Sequence, residues 1–336
     1  MATHASPLFA GRNRRIVLIV ALAALAGAAA VVGATLLQTR GEHTTVPGAV
    51  TRPRAGRPPL ELAFGAANGP QARALRQAQQ LYDGGNVAAA APIFARYGSL
   101  EARIGSAFVA WSKGGYETVQ GLAAAHPRSG LVLLHLGLAD YWAGRNADAV
   151  AAWVKTAKLA ADSPYGVEAQ DLLHPDLKIP GLPPIVTGLD LPRAIAKLPP
   201  AGQLVALRRA ATRPDADAKL LYGSALWTLE RPLSAGRVFA AAAKLAPHDA
   251  IARTAAAVAR FSKANPNRAF GRLGPLTAVF PRSAVVELHL GVLLLYIGEN
   301  AKAAKHLQAA VADAPRSPYA KDARTLLASL ARTRSK

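Results

Sequence analysis

HPRSGLVLLHLGLADYWAGRNADA, residues 126–149, returns without a gap as FPRSAVVELHLGVLLLYIGENAKA at 280–303. The agreement runs on through SPYGVEAQDLL (163–173) and SPYAKDARTLL (317–327). Upstream it continues across small insertions. Trp111-Ser112-Lys113 faces Phe261-Ser262-Lys263, and Leu81-Tyr82 with Phe94 faces Leu226-Trp227 with Phe239. A block of roughly 100 residues is therefore present twice, which marks stacked repeats that each bury an apolar face against their neighbours.

Hydrophobic residues make up 51% of the chain and aromatics only 6%. Large anchors are few, so small residues must let helices approach closely. Alanine is the best helix former, and β-branched residues do not fall in alternating runs, so the expected class is all-α. The absence of cysteine excludes disulfides, thiolate zinc sites and cysteine nucleophiles, and it suits either redox compartment.

Residues 16–37 are 22 uncharged, mostly apolar positions. As a helix they would span ~33 Å, enough for a ~30 Å hydrocarbon core. The expectation is one transmembrane anchor behind a short basic cytoplasmic tail (1–15). The small-x-small triplets at 26–28 and 28–30 also fit a removed signal peptide, although the run is long for one. Arg12, Arg14 and Arg15 crowd the amino side, while Arg40, Arg52, Arg54 and Arg57 lie on the other. The tight amino-side cluster favours a single-pass cell-membrane protein of bacterial type, with everything after residue 37 extracytoplasmic.

Prolines then divide the rest of the chain. Pro47, Pro53, Pro58, Pro59 and Pro70 make 38–70 a linker, and seven prolines from Pro175 to Pro200 make 174–200 a second one. Between and after them lie the first block (71–173) and the second block with a C-terminal capping helix (201–336). Helix pairs are expected to turn at Gly84-Gly85, Gly114-Gly115, Gly144, Arg231-Pro232, Asn265-Pro266 and Gly298.

Gly223, Ala235, Phe239, Ala242 and Pro247 fall at the intervals of a helix–turn–helix repeat, as do Leu290-Gly291, Gly298, Ala303, Ala310 and Pro315. Leu136-Gly137, Gly144, Ala149 and Trp153 follow suit, and Gly85, Ala90 and Phe94 do so in part. The pattern resembles the tetratricopeptide repeat over 71–173 and 214–331. Leu307 departs from it where an aromatic is usual, and the units around 101–126 and 248–280 are degenerate.

The resemblance implies a solenoid of tandem repeats in two homologous blocks. It also implies a non-catalytic protein-interaction scaffold, here one held at the membrane and suited to envelope assembly or secretion. First helices of such pairs line a groove, which would place Leu134, Leu138, Tyr141, Trp142, Leu220, Trp227, Leu288, Val292, Leu295 and Tyr296 toward a peptide or helix partner. The same residues could instead bury against neighbouring repeats or the 174–200 segment. The apolar character of the set argues against a carboxylate clamp.

Nothing in the chain reads as a catalytic, cofactor or metal motif. His135 and His289 share a register, but duplication accounts for that, and neither has a companion ligand at metal spacing. An enzyme would need two close carboxylates in a cleft. Charge is uneven: 61–173 hold nine basic and nine acidic residues, and 217–336 hold eighteen and seven. That excess suggests an alternative, an anionic lipid or wall polymer bound by Arg253, Arg260 and Arg268. No aromatic-plus-basic motif points to nucleic acid.

Overall fold

Prolines open several of the helices, Pro70, Pro164, Pro200, Pro232 and Pro318 among them. The computed structural model describes residues 53–334 other than Lys178, and among these the regular secondary structure is helical, with no strand. The anchor expected at 16–37 lies outside the described residues; within them no helix is long and apolar enough to cross a membrane. The chain divides into two units, with the described residues up to Leu173 in the first and those from His174 onward in the second.

The first unit holds α1 (Pro70–Asp83), α2 (Val87–Ala95), α3 (Leu100–Val109), α4 (Gly115–Ala125), α5 (Gly130–Trp142), α6 (Asn146–Leu159) and α7 (Pro164–Leu173). A 3-10 turn, Trp111–Lys113, links α3 to α4. Pro70 stands at the start of α1, where its missing N–H is no loss. The side chains of Asn86, Ser99 and Ser129 accept the free N–H groups that open α2, α3 and α5.

The second unit begins with two short additions, α8 (Arg193–Ala196) and α9 (Pro200–Ala210). Then come α10 (Ala216–Thr228), α11 (Pro232–Leu245), α12 (Ala250–Val258), α13 (Asn267–Leu273), α14 (Leu276–Val279), α15 (Ala284–Tyr296), α16 (Asn300–Asp313) and α17 (Pro318–Arg334). Asp215 and Asp249 cap α10 and α12. The degenerate stretch at 248–280 is one helix followed by two short ones, broken at Gly274-Pro275.

Consecutive helices pair as hairpins: α1 with α2, α5 with α6, α10 with α11, and α15 with α16. A glycine on the first helix meets a large side chain on the second, the close packing expected of a tetratricopeptide-like arrangement. A Cβ placed on Gly137, Gly223 or Gly291 would lie 2.3, 2.6 or 2.8 Å from Trp153, Phe239 or Leu307 respectively. Those three large side chains are fully buried, as is Phe94 of α2. Leu307 thus fills the aromatic's place with an aliphatic side chain. The turns at Gly85, Gly144 and Gly298 are left-handed (φ +80 to +81°), and Glu230 takes the same conformation (φ 56°) in the α10–α11 turn.

Candidate interaction grooves

Two extended proline-rich segments, one in each unit, carry the feature of greatest functional interest. The first is residues 54–64, which precede α1; the second is 179–191, which precede α8. Each lies in its own unit as a strap, and each is held chiefly through its main chain.

His135 on α5 and His289 on α15 hold the centres of the straps. Each ring is shut off from solvent. Nδ1 bonds the carbonyl one helical turn back, Leu131 O at 2.7 Å and Val285 O at 2.6 Å. A carbonyl can only accept, so Nδ1 carries the proton and Nε2 is free to accept. That nitrogen receives the strap's backbone N–H: Glu61 N at 3.2 Å in the first unit, Val186 N at 2.9 Å in the second. Burial pushes both imidazoles down to about 4, partly opposed by the carbonyl bond, so both are neutral near pH 7.

The contacts around each histidine correspond as well. Tyr82 Oη donates to Pro58 O at 2.6 Å, and Trp227 Nε1 donates to Pro183 O at 2.7 Å. The backbone N–H of Ala63 donates to Tyr165 Oη at 3.3 Å, while Tyr319 Oη donates to Thr187 O at 2.8 Å. These helical residues occupy matching places in the duplicated sequence. So do the strap sequences, Pro58-Pro59-Leu60-Glu61 and Pro183-Pro184-Ile185-Val186. Leu60 and Ile185 are buried. Each copy of the duplicated sequence therefore brings its own strap.

Further contacts differ between the two. Gln79 Nε2 donates to Leu60 O at 2.7 Å in the first unit. Arg54 pairs by backbone with Trp142 O at 2.9 Å, reaches Tyr141 O and Asn146, and lies over the Tyr141 ring. In the second unit Tyr296 Oη donates to Leu182 O at 2.9 Å and Lys263 Nζ to Ile179 O at 2.7 Å. Residues 182–187 are buried throughout. Leu189, Leu191 and Ile195 then pack with Leu207 of α9 and Leu221 of α10, which secures the downstream end of that strap.

Among the residues expected to face a partner, Tyr141, Trp142, Trp227 and Tyr296 touch a strap. Leu134, Leu138, Leu220, Leu288, Val292 and Leu295 are buried within their units. Sequence reasoning passed over Tyr82, Gln79, Tyr165, Lys263 and Tyr319 as site residues, and put the shared register of His135 and His289 down to duplication. The signal for most of them was present, in the repeated histidine, the repeated Ser-Pro-Tyr and the repeated Pro-Pro-aliphatic triplet.

A second concavity, of about 430 Å³, lies on the first unit between Gln120, Asp140, Arg145, Asp148 and Lys155. Asp140 is buried, and that burial holds its carboxyl above the usual range. It accepts from Tyr116 Oη at 2.7 Å, and Arg145 bonds Asp148 at 2.8 Å beside it. Leu294 and Lys302 stand at the corresponding places of the second copy. Among the described residues no group of His, Asp or Glu is placed to hold a metal ion. Of the basic residues singled out, Arg253 is half-buried over the Phe280 ring, 5.3 Å away, and Arg260 and Arg268 are exposed.

No family model matches the chain, and no curated protein does. Solved structures of tetratricopeptide proteins do. The TPR2AB-domain:pHSP90 complex of yeast Sti1 is 14% identical, with 78% of this chain and 98% of that one covered at a TM-score of 0.30. The C-terminal part of a TPR repeat-containing protein from Cytophaga hutchinsonii is 16% identical, with 74% and 98% covered at 0.28. The tetratricopeptide-like architecture stands on the hairpins and glycine contacts of the chain itself.

Proposed function

We propose that the chain is a non-catalytic protein-interaction scaffold, tethered to the cell membrane by residues 16–37, with both repeat units on the extracytoplasmic side. One observation carries this reading: each unit holds an extended segment by its main-chain N–H and C=O groups, the kind of contact that gives an extended peptide ligand its affinity. Both copies of the duplicated sequence hold such a segment on a buried histidine.

The test is proximity labelling in intact cells, with the label fused after Lys336 and a control in which it follows residues 1–52 alone. Envelope proteins enriched over the control are the expected result. Enrichment of cytoplasmic proteins alone would overturn the orientation, and no enrichment over the control would overturn the scaffold.

A second reading rests on charge. Between Glu230 and Glu287 the chain has nine basic residues and one acid, Asp249. Arg260, Arg268, Arg272 and Arg282 of that stretch are exposed. Such a surface suits an anionic lipid headgroup or wall polymer, with affinity that falls steeply as salt rises.

A further inference from the structure

We propose that the first unit is a receptor site for an extended Pro-Pro-aliphatic segment of a partner protein, and that residues 54–64 occupy it in cis until such a segment replaces them. This deepens the scaffold reading and rests on it.

The two straps show what the site reads. Their sequences share Pro-Pro followed by Leu or Ile, and a left-handed glycine two residues before it, Gly56 (φ 82°) and Gly181 (φ 72°). In both, the first proline offers its carbonyl to an aromatic donor, the aliphatic residue is buried, and the next N–H meets the histidine. Glu61 stands where Val186 stands, and it is exposed where Val186 is buried. The ligand is thus defined by backbone direction, one aliphatic anchor and two prolines. The prolines pre-set the extended form and lower the entropy lost on binding.

The asymmetry between the units decides which strap exchanges. The second is buried from Leu182 to Thr187 and is continuous with α8 and α9, which pack against α10. Its release would strip a core. The first exposes Ala55, Gly56, Arg57 and Glu61, and beside its short bonds at Pro58 and Leu60 those at Glu61 and Ala63 are long, 3.2 and 3.3 Å. It joins α1 through the short stretch 65–69, which keeps its local concentration high. A competing segment must overcome that tether, so the resting site is closed to weak ligands.

The experiment uses the full chain in detergent and a fluorescein-labelled peptide, RAGRPPLELAF, read by anisotropy. Leu60→Asp loosens the strap and leaves the helical residues of the site untouched. This variant is expected to bind the peptide at least about tenfold more tightly than the unaltered chain. A peptide whose own Leu is replaced by Asp should bind neither. Glu61→Pro removes the N–H that His135 accepts, along with the Glu61 side chain, while it keeps the backbone extended, and provides a second release should Leu60→Asp fail to fold.

Folded variants that bind no better than the unaltered chain would overturn the proposal, and so would equal binding of the Asp-bearing peptide. If exchange fails while proximity labelling still enriches envelope proteins, the scaffold stands and works through another face.

Discussion

A neutral histidine that accepts a main-chain N–H can do so only while its ring stays unprotonated. His135 and His289 have a folded value of about 4 against 6.5 for an exposed imidazole. As pH falls through this window the unfolded chain takes up protons first. The contribution to stability is therefore complete above about pH 6.5 and is lost as pH falls toward 4, by up to about 3 kcal/mol per histidine. Melting temperature should fall between pH 7 and 4.5; a flat profile would contradict the buried neutral rings. His289→Leu leaves the Val186 N–H buried without its acceptor and should cost ~1–3 kcal/mol in urea unfolding. The roles of these residues were hidden in the sequence because a repeated histidine does not disclose its partner. That partner is a backbone N–H 74 residues away for His135 and 103 for His289, and backbone atoms leave no residue-type signature.

At the level of the hairpin, energy is concentrated where a small residue meets a large one. Trp153 and Phe239 are fully buried against Gly137 and Gly223. Trp153→Ala and Phe239→Ala should each destabilise by ~3–5 kcal/mol. The opposite change, Gly137→Ala, puts a methyl where Trp153 already sits and should cost ~1–3 kcal/mol through overpacking. Equal melting of any of these variants and the parent would break the assigned register. This layer was legible from one dimension, since Gly, Ala and Phe or Trp recur at helix-pair intervals for a steric reason that is local. The straps were less so. Pro58-Pro59 and Pro183-Pro184 read as spacers because proline excludes helix; the same property makes them good extended ligands for a helical face.

Across the molecule, the basic excess falls mainly in the second unit, and its test is separate from that of the grooves. Reversal of Arg260, Arg268 and Arg272 to Glu should abolish sedimentation with anionic vesicles at low salt while the melting temperature stays within a degree or two, since all three are exposed and none anchors a strap. Retained sedimentation would remove the polyanion reading and leave the scaffold as it is. The anchor proposed at 16–37 belongs to this scale too, and the labelling experiment above tests both it and the proposed extracytoplasmic side.

Class, repeat and hairpin register were determined by the sequence alone, because helix propensity, close-packing glycines and proline breaks act over a few residues and are written in residue types. Tertiary structure alone decided that the proline-rich segments lie in the units as straps, and that two buried histidines hold them. Those bonds join a main chain to side chains far along the numbering, and only folding brings them within 3 Å or so of each other.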